Sequence, residues 1–440
     1  MATTAVEVQN KVPVPLAPST IEEAGVSADL IVQLLTKTLS FAGELSGLEW
    51  AERLGVNFSV IEPGIDRLKA QHVCEIVGGA SLGPPSYRYR ITSLGRDMAG
   101  AFLDRNMYTG AVPVPLAQYR QYMHDFHNVT RRAIRRDDVK QAFSHLVLPE
   151  RILDQLGPAI NSGHSLFVYG PPGNGKTVIA QAIQNLMKED FWVPQALDVD
   201  GSIIQVFDPV NHKPRPVPVQ GLGLDTLSKH DQRWIRCERP TVMVGGELTL
   251  DQLELTYNPS AGFYRAPLQL VANGGLLIID DFGRQQCSPH AILNRWITPL
   301  ESRIDFLTLQ SGQKVAIPFM VLPVLATNIR PAELVDEAFL RRIHYKVFVE
   351  DPTPDAFREI WRNYCRTHDL EYTPAVVDDV LARLLPRWKT GLRGCQPRDL
   401  IEQSLARAVY LGEPRHLTPA LLEAACETYF VDEQQGVSLN

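Results

Sequence analysis

Gly170-Pro171-Pro172-Gly173-Asn174-Gly175-Lys176-Thr177 matches G-x-x-x-x-G-K-S/T at every fixed position. The run before it, Ser165-Leu166-Phe167-Val168-Tyr169, is β-branched and aromatic and reads as a strand. The run after it, Val178-Ile179-Ala180-Gln181-Ala182-Ile183, reads as a buried helix. Glycines between a strand and a helix let backbone N–H groups turn inward around phosphate oxygens, and the helix N-terminus adds a favourable dipole. Lys176 then reaches the β- and γ-phosphates of a nucleotide, and the Thr177 hydroxyl binds Mg²⁺.

A second stretch points the same way. Gly274-Gly275-Leu276-Leu277-Ile278-Ile279-Asp280-Asp281 is four apolar residues ending in two carboxylates. A continuous apolar run suits a central strand buried on both faces. Its carboxyl end is where open α/β sheets bind ligands. Asp280 is expected to hold Mg²⁺ and Asp281 to orient the attacking water.

The rest of the chain limits the choices. A net charge of −7 over 440 residues argues against a general polyanion binder. Cys74, Cys237, Cys287, Cys365, Cys395 and Cys426 lie far apart with no C-x-x-C pair, which reads as reduced thiols in a cytoplasmic protein without a zinc site. No basic segment followed by an apolar core opens the chain, so no signal peptide is expected. The run Val315 to Ala326 is short and contains Pro318 and Pro323, so it suits no membrane span.

Residues 1–27, with Pro13, Pro15 and Pro18, read as a flexible N-terminal arm. Residues 28–108 read as a small α+β domain. Leu30, Ile31, Leu34, Leu35 and Leu39 keep helical spacing, and Ser46-Gly47-Leu48-Glu49 opens a second helix with a capping-box pattern. A third helix runs through Val60, Ile61, Ile65 and Leu68. Val73 to Val77 and Tyr87 to Thr92 then alternate as a hairpin. Helix, helix, helix, hairpin resembles a winged helix-turn-helix. The segment carries eight Lys and Arg against nine Asp and Glu, a net of −1, and only Arg88 and Arg90 put cations on the wing. Phosphate-backbone binding wants clustered cations. Protein contact is therefore favoured, with duplex DNA as the alternative.

Residues 109–145 read as a connector, extended at first by Pro113 and Pro115. Arg131, Arg132, Arg135 and Arg136 follow at helical spacing, as a solvated face or as a contact to an acidic partner. Residues 146–350 hold the nucleotide-binding core. Leu197 to Asp208 alternates as a hairpin, and 245–265 is loop-like with Tyr257, Phe263 and Tyr264. Inserts this long in a compact domain are usually functional. Strands at Ile304–Gln310 and Lys314–Pro318 join at Ser311-Gly312, and an apolar strand from Met320 ends in Thr327-Asn328, where a side chain could position water. Residues 351–432 read as helical, with a helix opening near Gln396-Pro397-Arg398. Residues 433–440 are a C-terminal tail.

Together these pieces resemble an AAA+ ATPase over roughly 146–432, a P-loop αβα core with a helical lid. The hairpin before Asn328 resembles the pre-sensor hairpin clade, and residues 336–343 resemble the MoxR-like pattern. The resemblance makes Gly170 to Thr177 the Walker A motif, Asp280 and Asp281 Walker B, and Asn328 sensor 1. Arg342 becomes the arginine finger with Arg341 as its alternative, and Arg398 sensor 2. It implies ATP and Mg²⁺ as cofactors, ATP hydrolysis, and a homo-oligomeric ring, usually a hexamer. In such a ring the inserts at 201–217 and 245–265 would supply pore-facing loops, with Tyr257, Phe263 and Tyr264 either gripping a client or packing the insert onto its own core. The second Walker B acid is usually Glu. Asp281 is one methylene shorter, so water activation would be slower or differently placed. No sigma-factor-contacting GAFTGA loop is present. The functions implied are a chaperone-like remodeller of protein clients, a DNA-associated ATPase or regulator, and a slow ATP-dependent assembly switch.

Overall fold

The computed structural model describes residues 12–79, 83–130, 133–217, 230–388 and 390–430. Contacts divide the chain into two compact units. One comprises Met1–Ala133, Met187–Leu277 and Gln285–Pro323. The other comprises Ile134–Leu186, Ile278–Arg284 and Val324–Asn440.

A five-stranded sheet carries the two motifs. Its strands lie in the order Thr241–Val244, Leu276–Ile279, Leu322–Thr327, Leu166–Tyr169, Tyr345–Phe348. Leu166–Tyr169 pairs in parallel with both neighbours. Leu276, Leu277, Ile278 and Ile279 are fully buried, as a run without polar alternation requires. The edge strand Tyr345–Phe348 had no sequence signal of its own, because its burial alternates and its run is short. The helix after the glycine loop spans Lys176–Ala182 and passes into a 3₁₀ turn at Ile183–Leu186.

Residues beyond the sheet are helical in this second unit, as expected. Pro354–Thr367, Gln396–Leu411 and Pro419–Tyr429 are its longer helices. The Thr353 hydroxyl caps the first by accepting the Ala356 N–H, and Pro354 occupies a position whose N–H would be unpaired anyway. Phe357, Trp361 and Cys365 recur at helical spacing and are buried. They pack in one cluster with Leu400, Ile401 and Leu422.

In the first unit, residues 28–105 form helices Ala28–Ala42, Gly47–Leu54, Phe58–Ala70 and Ser93–Arg105 around a three-stranded antiparallel sheet. The Ser46 capping box is present: the Ser46 hydroxyl accepts the Glu49 N–H (3.2 Å) and the Glu49 carboxylate accepts the Ser46 N–H (2.7 Å). The strand Glu44–Ser46 and the helix Ser93–Arg105 add to the expected three helices and hairpin. Trp50 is fully buried, and its indole N–H donates to the Leu35 carbonyl at 3.2 Å.

The arm is held rather than loose from Pro15 onward. The Asp231 N–H donates to the Pro15 carbonyl (2.8 Å), and the buried Arg233 pairs with Asp231 and donates to the Ala24 carbonyl (2.8 Å). Residues 1–11, like the tail 433–440, lie outside the described residues. The connector differs too. It holds a strand at Val114–Pro115 and a helix at Leu116–Thr130. The four arginines share no described helix face. Arg131 and Arg132 lie outside the described residues, Arg135 is extended, and the next helix starts at Arg136.

The two inserts build a sheet. Ala196–Val199 and Ser202–Gln205 form the expected hairpin, turned by Asp200 (φ 50°) and Gly201 (φ 86°), the pair of left-handed residues a tight hairpin turn needs. The strands Thr256–Asn258 and Phe263–Arg265 join it, the latter beside Ser202–Gln205. Of the three aromatics expected either to grip a client or to pack the insert, one is buried and two are half-buried in this sheet. Tyr264 is buried with its hydroxyl accepting the Gln310 N–H (2.9 Å), Tyr257 lies 4.9 Å from its ring, and Phe263 meets Tyr108 edge-on at 5.8 Å. Aromatics contribute buried area first, and Tyr264 does so here. The strands Ile304–Thr308 and Lys314–Pro318 pair antiparallel, as their sequence suggested.

Candidate nucleotide site

The glycine loop crosses from the end of Leu166–Tyr169 to the helix starting at Lys176. Two of its glycines are fixed by what lies beside them. At Gly170 (φ 145°) a Cβ would stand 2.1 Å from the Val349 carbonyl O. At Gly173 (φ 79°) it would stand 2.7 Å from Cys395 Sγ. Pro171 and Pro172 lie between these glycines, and Gly175 (φ 75°) completes the turn into the helix.

Lys176 is buried, with its ammonium donating to the Pro171 carbonyl at 2.8 Å. Burial pushes its pKa below the ordinary lysine range, while Asp281 and Asp280 counter that shift and Arg393 adds to it. The Thr177 hydroxyl lies 3.0 and 2.8 Å from the two Asp280 carboxylate oxygens. Those residues are 103 positions apart. The fold thus unites the hydroxyl and the carboxylate that the two motifs set aside for Mg²⁺.

Asp281 follows in the left-handed region (φ 47°), uncommon for a residue with a side chain. Its N–H donates to Asp280 Oδ1 (3.0 Å), and its own carboxylate accepts from Asn328 Nδ2 (3.2 Å). Asn328 comes just after the buried strand Leu322–Thr327, so two strand ends converge on one exposed carboxylate. Hydrogen bonds therefore tie Thr177, Asp280, Asp281 and Asn328 into one chain beside Lys176.

The arginines stand differently. Arg341 and Arg342 form the last turn of Glu337–Arg342, with the Arg342 guanidinium 5.9 Å over the Phe339 ring. Arg398 lies in the first turn of Gln396–Leu411, exposed, and donates to Asp399 at 2.8 Å. The lid residue engaging the loop's surroundings is instead Arg393, paired with Asp351. Asn174 completes that clasp. Its amide donates to Asp351 Oδ1 (2.7 Å) and accepts from the Gly394 N–H (3.0 Å), while the Cys395 N–H donates to the Gly173 carbonyl (2.8 Å). Sequence reading missed Asp351 and Arg393. Their only signals are a charge just after a strand and a charge between Gly391 and Gly394.

Among the described residues no group of His, Cys, Asp and Glu is arranged to hold a metal by itself. Asp280 with Thr177 fits Mg²⁺ of the kind that arrives with a nucleotide, held by few protein oxygens and completed by phosphates and water. No helix of the described residues is long and apolar enough to cross a membrane.

Residues 150–201, which include the glycine loop, match the family described as magnesium chelatase, subunit ChlI. Residues 353–428 match a domain of unknown function, DUF8689. No curated protein matches the chain in sequence. Among solved structures, a point mutant of Thermotoga maritima RuvB is 13% identical, with 65% of this chain and 71% of that chain covered and a TM-score of 0.39. The Thermotoga maritima RuvB Holliday junction branch migration motor is 14% identical, with 68% and 71% covered and a TM-score of 0.36. The glycine loop between strand and helix, the carboxylates closing a strand one removed from it in the same sheet, the helical segment that follows and the family match over 150–201 give this chain the α/β fold of a P-loop AAA+ ATPase.

Proposed function

We propose that the chain is a Mg²⁺-dependent ATPase that assembles into a homo-oligomeric ring, a hexamer by resemblance, and spends turnover on remodelling a protein client in the cytoplasm. The observation that carries the chemistry is the chain of bonds from Thr177 through Asp280 to Asp281 and Asn328. In this reading the backbone of Gly170 to Gly175 and Lys176 would receive the phosphates, and Thr177 with Asp280 would hold a Mg²⁺ that supplies charge neutralisation to them. Asp281 orients water and Asn328 holds Asp281. The short Asp281 side chain is compensated in part by its left-handed backbone, which sets where the carboxylate starts. An assembly switch with slow turnover remains the reading to beat at this residue.

Arg342 acts in trans in this proposal, with Arg341 as the alternative finger and Arg398 turning to nucleotide when the lid closes. Arg342→Ala is expected to keep nucleotide binding and lose about 10³-fold in turnover, the range an arginine finger contributes. Mixing it with Lys176→Ala chains is expected to restore activity at hybrid interfaces, read as phosphate release against mixing ratio. No recovery although the two variants co-assemble would remove the trans role.

A DNA-associated motor is the second reading, and the charges of residues 28–108 weigh against it. Arg88 and Arg90 both pair with Glu44, Arg67 with Asp29 and Lys69 with Asp66. Cations already engaged by carboxylates release fewer counterions on meeting phosphates. The full chain is expected to bind mixed-sequence duplex no tighter than about 10 µM at physiological salt, with Arg88→Ala/Arg90→Ala changing little. A salt-sensitive complex that the double variant abolishes would promote the DNA reading.

A further inference from the structure

Within the first unit, the helix Ala28–Ala42 turns Lys37 into the interior, where the residue is 1% exposed. Its ammonium has three donors, and among the described residues one is used, at 3.0 Å to the Asn106 carbonyl. No Asp or Glu pairs with it there. Burial alone moves its pKa, down to about 8, with no carboxylate pulling it back. A buried ammonium ordinarily pairs with a carboxylate or lies beside several acceptors, because leaving water is costly for an ion.

Lys37 and Asn106 line a cavity of about 540 Å³. Arg105, at the end of Ser93–Arg105, lines it too and forms no ion pair among the described residues. Tyr257 and Tyr264, with ring centroids 4.9 Å apart, make an aromatic wall, and Gln310 and Ser202 supply further polar edges. Among the described residues no carboxylate side chain lines it. The volume lies in the range of small-molecule sites, which combine apolar or aromatic walls with a few convergent polar groups.

We infer that this cavity is a binding site for a small organic oxyanion, a carboxylate or phosphate on a planar body, held by Lys37 and Arg105 with the body against Tyr257. An anion there supplies the counter-charge that the protein does not, and the Arg105 fork suits two oxygens of one acid group. The site is built from residues outside the nucleotide loop, and it stands whether or not the chain hydrolyses ATP.

The test is calorimetric titration of the full chain with phenyl phosphate and with benzoate, which separate the phosphate and carboxylate forms. Lys176→Ala is run alongside, so that phosphate taken up at the Gly170–Thr177 loop is recognised as such. At least one probe is expected to bind wild type and Lys176→Ala alike, and to lose at least about tenfold in affinity in Lys37→Met and in Arg105→Ala. Arg105 is exposed, so its variant decides the matter should Lys37→Met fail to fold. Absence of binding by both probes to about 10 mM, a concentration well above useful affinity, would overturn the site. So would binding that Lys176→Ala abolishes, or binding that the folded Lys37 and Arg105 variants leave unchanged.

Discussion

Lys176→Ala is expected to abolish ATP turnover, by about 10²–10³-fold or more, the loss seen when one preorganised charge-stabilising donor is removed. Lys176 is 7% exposed, so its ammonium acts in a site that water screens poorly. Its position 2.8 Å from the Pro171 carbonyl keeps it at the loop, where a phosphate would compete for the same donors. Removing the side chain leaves the backbone cradle intact but deletes the buried positive charge that the loop itself carries. Phosphate release measured on a variant whose circular dichroism matches wild type checks this. Wild-type turnover would refute the assignment of the loop as an ATP site, whatever the fold.

Trp361→Ala is expected to cost about 3–5 kcal/mol, the usual range for a fully buried Trp or Phe cut back to Ala. Trp361 is 1% exposed, with the Phe357 ring 6.0 Å away, and it shares a cluster with Leu400, Ile401 and Leu422. The damage should be local. Hydrogen exchange is expected to speed in Pro354–Thr367, Gln396–Leu411 and Pro419–Tyr429 while Leu166–Tyr169 stays protected. Equal exchange in wild type and variant across those helices would show that the cluster does not hold them.

Much of the candidate nucleotide site is legible because its signals are local. Four apolar residues before Asp280 and Asp281 define a buried strand with charge at its end, and the spacing of Gly170, Gly175 and Lys176 defines the loop without help from the rest of the chain. Asn328 was legible for the same reason, as a polar residue closing an apolar strand. The clasp was not. Asn174 meets Asp351 across 177 positions and Gly394 across 220, and nothing in either segment's own pattern encodes that meeting. Tyr264 shows the same limit. An aromatic in a glycine-rich stretch looks identical whether it faces a client or a core, and only the pairing of Phe263–Arg265 with Ser202–Gln205 decides. The expected loose arm failed because a remote buried pair, Asp231 with Arg233, fastens residues that carry no ordering signal themselves.

The contacts of Gly173 and Asn174 with Gly394, Cys395 and Asp351 bear on timing. The glycine loop is stitched along its crest to the helical layer that follows the sheet. The loop and the start of that layer are therefore joined directly. A displacement of that layer would pull on the loop through the Cys395–Gly173 backbone bond and the Asn174 side chain. On the proposed function, nucleotide exchange would wait on these few hydrogen bonds breaking together, and Asn174, an amide side chain inside the loop, would set its tempo.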